Sequence, residues 1–211
     1  MIWRPWPLVL RSKTFVMSEP AEPKPTNDVF NIPNQLTAAR FVLSIVVFVL
    51  IPLQIYLAAL IVFVVAASTD WIDGYYARKY GQVTKLGRMF DPFVDKIIIC
   101  GTFIFLAAEQ GSGIAAWMAV VVVGRELLVT ALRSSIEHSG GDFSASFAGK
   151  LKMLFQCAAV VASLLILWMG SDRPDWLPMA LSVLAWLAVL STIQSGLDYV
   201  FAAVRFFRQE G

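Results

Sequence analysis

Four aspartates stand in two closely spaced pairs, Asp70 with Asp73 and Asp91 with Asp95. At about 100° per residue, Asp70, Asp73, Gly74, Ala77 and Arg78 fall on a helical arc of about 140°. Gly87, Asp91 and Asp95 form a second stripe at i, i+4 and i+8. On antiparallel neighbouring helices the two stripes present four carboxylates to one point. Hard oxygen donors without His or thiolate favour magnesium, manganese or calcium over zinc. Cations held there neutralise charge developing on attacking and leaving oxygens, and a carboxylate beside a hydroxyl removes its proton. Gly74 and Ala77 take side-chain bulk off the same face, leaving room for a ligand or for close helix packing.

The elements that must position these groups are membrane helices. The 211 residues are 58% hydrophobic and 15% charged, with a mean hydropathy of +0.68. Soluble domains average about 45–50% and about 25%. This excludes an ordinary soluble enzyme and a disordered chain, and the net charge of +2 is too small to suggest nucleic acid. Cys100 and Cys157 lie in apolar runs with no nearby His, as buried thiols do.

A spanning helix needs about 20 mostly apolar residues, and six such segments can be marked, at 35–53, 55–78, 86–108, 113–136, 148–169 and 176–204. The short breaks between them carry Pro, Gly, Ser and charged residues. With an even number of spans, 16 of the 17 Lys and Arg fall on one side, and only Arg173 lies opposite. Positive flanks mark the cytoplasm, so both termini are expected there, with Trp117, Trp168 and Trp176 at the outer interface. Residues 1–30, with five Pro, read as a disordered or surface-lying lead before a membrane domain at 31–211. Its apolar piece, Trp6 to Leu10, is too short for a cleaved signal core and is broken by Pro7. Inside a membrane each ionised carboxylate costs about 2.5–3.5 kcal/mol at the bilayer centre, so four close together demand compensation.

The segment Asp70-Trp-Ile-Asp73-Gly74-Tyr-Tyr-Ala77-Arg78, then eight residues, Gly87, three, Asp91, three and Asp95 resembles the CDP-alcohol phosphotransferase motif without departure. Eight fixed positions at fixed gaps make the resemblance specific. It implies six membrane helices, two divalent cations, Mg2+ or Mn2+, held by Asp70, Asp73, Asp91 and Asp95, and Asp95 as general base. It implies further that Gly74, Ala77, Arg78, Gly87 and Thr84 contribute to a cytoplasmic site for a CDP-linked donor.

Two other segments resemble the phosphatidylglycerophosphate synthase branch of that family. One is Gly124-Arg125-Glu126-Leu127 with Arg133, followed by Gly149-Lys150-Leu151-Lys152-Met153 and Gln156, in which Met153 stands where the pattern carries Thr. The other is the opening Asn31-Ile-Pro33-Asn34-Gln-Leu-Thr37-Ala-Ala-Arg40. Bottom-up, Asn34 or Thr37 is a good helix cap; by resemblance, both help close the donor site. Arg125 lies deep enough in an apolar run that its charge must be met by Glu126 or Glu137 in an ion pair, by snorkelling to the surface, or by a phosphate. With Arg133 and Lys150 it forms an expected acceptor-phosphate site suited to guanidinium fork geometry.

The chain is thus read as an all-α integral membrane enzyme of a bacterial inner membrane. The resemblance implies CDP-diacylglycerol as donor, glycerol-3-phosphate as acceptor, membrane lipids as surroundings and a homodimer. The alternatives are another transferase of the family, a cardiolipin or phosphatidylinositol-phosphate synthase, and a divalent-cation transporter. Transport calls for acidic groups along a path across the bilayer, whereas these cluster at one depth and the outer half offers only Glu109, Asp172 and Asp175.

Overall fold

The computed structural model describes the backbone of residues 32–80, 85–138 and 147–210, with side chains outside 32–34, 70–92, 95, 137–148, 150 and 209–210. Six helices run α1 Ile32–Leu50, α2 Tyr56–Tyr80, α3 Lys85–Ala108, α4 Ala116–His138, α5 Phe147–Met169 and α6 Trp176–Glu210. There is no strand among the described residues. Each expected apolar segment coincides with one helix.

The helix ends differ from the hydropathy bounds for local reasons. Helix α1 gives way to a Schellman turn: Ile55 N–H donates to Leu50 C=O at 3.1 Å and Gln54 N–H to Ile51 C=O at 2.8 Å. Gln54 takes the left-handed C′ position at φ 61°, where Gly is the usual residue. Helix α4 begins at Ala116 rather than 113, because Gly113 is left-handed at φ 71° and lies against Leu181, leaving no space for a Cβ. Helix α6 continues to Glu210, past the expected 204. Its 35 residues span about 52 Å at 1.5 Å each, longer than the roughly 30 Å hydrocarbon core.

Helix α1 packs on α2 and α3, α5 on α2, α3 and α6, and α4 on α3 and α6. Val47, Phe63, Phe103, Leu106, Leu164 and Val189 are buried at the centre. The outer surface is apolar too, with Val42, Ile61, Val120, Leu127, Leu154 and Met179 among the exposed residues. Helices apolar all round and a surface of this kind are stable in lipid and not in water. Leu151–Asp172 and Trp176–Arg208 are long and apolar enough to cross a membrane, with shorter apolar stretches at Gln35–Leu50, Tyr56–Thr69 and Lys96–Ala108. The architecture fits an all-helical membrane protein.

The two ends of the bundle are defined by contacts between distant residues. At one end the Tyr56 hydroxyl donates to Glu109 Oε2 at 3.1 Å, joining the start of α2 to the end of α3. There too the Ser163 hydroxyl donates to Ser112 C=O at 2.6 Å, and Trp117 packs on Trp186 at 5.5 Å between ring centroids. The opposite end therefore holds the start of α1, the end of α2, the start of α3, the end of α4, the start of α5 and the end of α6. Apart from Arg125, which lies near the middle of α4, every candidate residue that lies on a described helix belongs to that half.

Candidate functional site

Asp70 and Asp73 lie in the last turns of α2, with Gly74, Ala77 and Arg78 following on the same helix; Gly87, Asp91 and Asp95 lie in the first turns of α3. The backbone is helical through both stripes, so the one-turn spacing within each pair is retained. Helices α1 and α5 each pack on both α2 and α3 and so hold the two motif helices in one assembly. The side chains of these residues, and Thr84 altogether, lie outside the described residues. As a donor set, four carboxylates on two consecutive helices supply hard oxygen alone, which fits a magnesium- or manganese-type cation. On α1, Asn34 is part of the first turn and Thr37 is buried just before the buried Arg40.

The described polar centre lies where α3, α4 and α5 meet. A pocket of about 210 Å3 is lined by Lys96 and Ile99 from α3, Glu126 and Arg133 from α4, and Lys152, Met153 and Gln156 from α5. Its size suits a small phosphate ester better than the about 300–1,000 Å3 sites of drug-sized ligands. Its three cations outnumber its one carboxylate by two charges, the charge a phosphate monoester approaches at neutral pH.

Helical register explains which α4 residues take part. Glu126, Thr130 and Arg133 recur at i, i+4 and i+7, one stripe of α4. Thr130 donates to Glu126 C=O at 2.6 Å and receives Lys96 Nζ at 2.6 Å. Arg125 is about 100° round the helix from Glu126, toward α6. Its NH1 donates to Glu126 Oε1 at 3.1 Å, its NH2 to the Ser195 hydroxyl at 2.5 Å, and its guanidinium lies 5.6 Å from the Tyr199 ring centre. Gly196 makes room for it, since a Cβ there would stand 3.2 Å from Arg125 Cγ.

Of the three residues expected at the acceptor phosphate, the structure thus brings Arg133 to the pocket and seats Arg125 beside Glu126, in the ion-pair alternative. Lys150 is in the first turns of α5, its side chain outside the described residues. Four lining residues are not among those expected at the acceptor phosphate from sequence: Lys96, Glu126, Lys152 and Gln156. Three of them belong to the very segments that carry the resemblance, so a signal was present. Lys152 Nζ donates to Glu126 Oε1, both side chains being buried, and Gln156 Nε2 donates to the Thr192 hydroxyl at 2.9 Å, tying α5 to α6.

The family model described as CDP-alcohol phosphatidyltransferase matches residues 30–194. A protein of Bacillus subtilis (strain 168) named CDP-diacylglycerol--glycerol-3-phosphate 3-phosphatidyltransferase is 36% identical over 190 residues, covering 81% of this chain and 94% of its own. Proteins of the same name from Rickettsia typhi and Escherichia coli (strain K12) are 34% and 33% identical, covering 84% and 82% of this chain and 99% and 95% of theirs.

Proposed function

Since the chain belongs to the CDP-alcohol phosphatidyltransferase family, we propose that it transfers the phosphatidyl group of CDP-diacylglycerol to glycerol-3-phosphate. The acceptor's primary hydroxyl oxygen bonds to the lipid-proximal phosphorus, the bond from that phosphorus to the CMP oxygen breaks, and the products are phosphatidylglycerophosphate and CMP. The observation that carries the acceptor assignment is the small pocket with two positive charges in excess, placed in the same half of the bundle as the carboxylate motif.

Asp70, Asp73, Asp91 and Asp95 would hold two divalent cations, Mg2+ or Mn2+, whose charge when bound offsets that of the diphosphate. Asp95 accepts the hydroxyl proton. Gly74, Ala77, Arg78, Thr84 and Gly87 receive the cytidine diphosphate part of the donor, and Asn34 and Thr37 on α1 close over it. Arg133, Lys150 and Arg125 hold the acceptor's phosphate, with Lys96 and Lys152 adding charge to the wall. For Arg125 this leaves Nε, which has no hydrogen-bond partner among the described residues, to meet the phosphate while the bonds to Glu126 and Ser195 are kept. Fixing a non-reacting phosphate orients the hydroxyl and turns a bimolecular encounter into a local one.

The membrane placement belongs to the same proposal: six spans in a bacterial inner membrane, both termini and the active site cytoplasmic, and two copies forming a dimer. The charge asymmetry between the two ends supports the orientation. A reactive probe at residue 140 is expected to label from the cytoplasm and one at 172 from outside; labelling of 172 from the cytoplasm overturns the six-span arrangement.

Purified protein given CDP-diacylglycerol and a panel of acceptors should release CMP with glycerol-3-phosphate and not with phosphatidylglycerol or inositol phosphate. Release with one of the latter alone would move the chain to another branch of the family, and no release with any would remove the transferase reading.

A further inference from the structure

We infer that Glu126 is a positioning residue of the acceptor pocket and acts through Lys152. The inference rests on the reading of that pocket as the glycerol-3-phosphate site.

Glu126 and Lys152 are 6% and 7% exposed, on different helices, and their ion pair bridges α4 and α5 at the pocket wall. A buried ion pair contributes little or negatively to stability compared with apolar side chains of the same volume, so stability does not account for this one. Its geometry does something else. The Glu126 carboxylate takes Arg125 on one side and Lys152 on the other through the same Oε1. Arg125 is in turn fixed to α6 by Ser195. One helical turn beyond Lys152, Gln156 is bonded to Thr192, also on α6. The position of the Lys152 ammonium is therefore set from two directions, both anchored on α6.

Charge supports the same role. The carboxylate keeps the lining at two positive charges in excess and separates Lys152 from Arg125. Without it two neighbouring buried cations repel, and Lys152 loses the acceptor that aims it. A charge-assisted donor is only as useful as its alignment.

The test is steady-state kinetics on the full-length protein in lipid nanodiscs, varying each substrate separately. Glu126→Gln keeps the shape and removes the charge. It is expected to raise the glycerol-3-phosphate KM about 10-fold while the CDP-diacylglycerol KM stays within about twofold. Lys152→Met should do the same, and the double variant should be no worse than either single, because both remove one contact. Three results overturn the inference: an unchanged acceptor KM in Glu126→Gln, a full further loss when Glu126→Gln is added to Lys152→Met, or an equal rise in both KM values. Should Glu126→Gln fail to fold, Lys152→Met reads the contact from its other end, and an unchanged acceptor KM there overturns it. Arg133→Ala separates the two levels. If it leaves the acceptor KM unchanged, the pocket reading and this inference fall together; if it raises that KM and Glu126→Gln does not, the inference alone falls.

Discussion

The two ends of the bundle are held together by different means. At the Tyr56 end, tight turns, a left-handed Gln54, a left-handed Gly113 and isolated hydrogen bonds such as Tyr56 to Glu109 and Ser163 to Ser112 tie helix to helix. At the other end, buried or half-buried charges do so: Lys152, Glu126 and Arg125 link α5, α4 and α6, and Lys96 links α3 to α4 through Thr130. Isolated hydrogen bonds between neutral groups, or to a part-exposed carboxylate such as Glu109, satisfy polar groups at little risk, whereas buried charges carry a desolvation cost that must be compensated. On the proposed function, charges accumulate where a charged substrate is to be bound, and the opposite end carries none of that demand. Substitutions at the two ends should therefore fail differently, one in kinetics and the other in stability.

The largest effect belongs to the carboxylate motif. Asp91→Asn should lower CMP release by about 10^3-fold, the scale of losing a group that stabilises developing charge, while the protein remains folded and inserted. A chelator should have a matching effect on the unsubstituted protein. Full activity in the chelator would remove the metal centre from the account and leave the charged end as a binding site only.

Arg133→Ala comes next. If Arg133 holds the acceptor phosphate as proposed, the substitution removes a charge-assisted contact of about 1.5–3 kcal/mol, an efficiency loss of about 10-fold to 150-fold. Because the contact holds a non-reacting part of the acceptor, the loss should appear mainly in the glycerol-3-phosphate KM. Little change is expected in thermal stability, since Arg133 is exposed.

Much of this division is legible in the chain itself. Six runs of apolar residues separated by turn chemistry mark six helices, because a long apolar run bounded by Pro, Gly and charged residues is a local signal that does not depend on distant contacts. Hydropathy measures depth and not hydrogen bonding, so it stopped short at α6, where a more polar segment from Arg205 to Glu210 continues the helix. The Gln54 turn was placed but not typed, since Gln carries no left-handed preference and the conformation is imposed by the reversal. At the pocket between α3, α4 and α5 the residue types are readable and the register is not. A one-position difference is about 100° of helix, enough to put Glu126 in the wall and send Arg125 toward Ser195, 70 residues away. That partner carries no sequence signal, because Ser on an apolar helix reads equally as a small packing residue.

At the rigid end Gly113→Ala should be the most damaging change. A Cβ there meets Leu181, and the φ of 71° is one that Ala rarely adopts. A loss of about 1–3 kcal/mol is expected, with both KM values unchanged in the protein that remains folded. A selective rise in the acceptor KM would show that the two ends are coupled.

The smallest effect is also the sharpest check, because it should have the opposite sign. Gln54 occupies a left-handed position that costs an L-residue about 1 kcal/mol and costs Gly nothing. Gln54→Gly relieves that strain but gives the unfolded chain more freedom, a penalty of about 0.4–1 kcal/mol. The net change should lie between about zero and a few tenths of a kcal/mol in favour of the variant, because both Schellman hydrogen bonds are made by backbone and survive the substitution. At about 2–4 °C per kcal/mol for a chain of this size, the apparent Tm should hold or rise by about 1 °C, which calls for paired melts in the same lipid. The kinetic constants should not move, since the turn lies at the end away from every proposed ligand. A Tm lowered by several degrees would mean that the Gln54 side chain itself anchors the turn, and a changed acceptor KM would mean that the separation into a rigid end and a binding end is wrong.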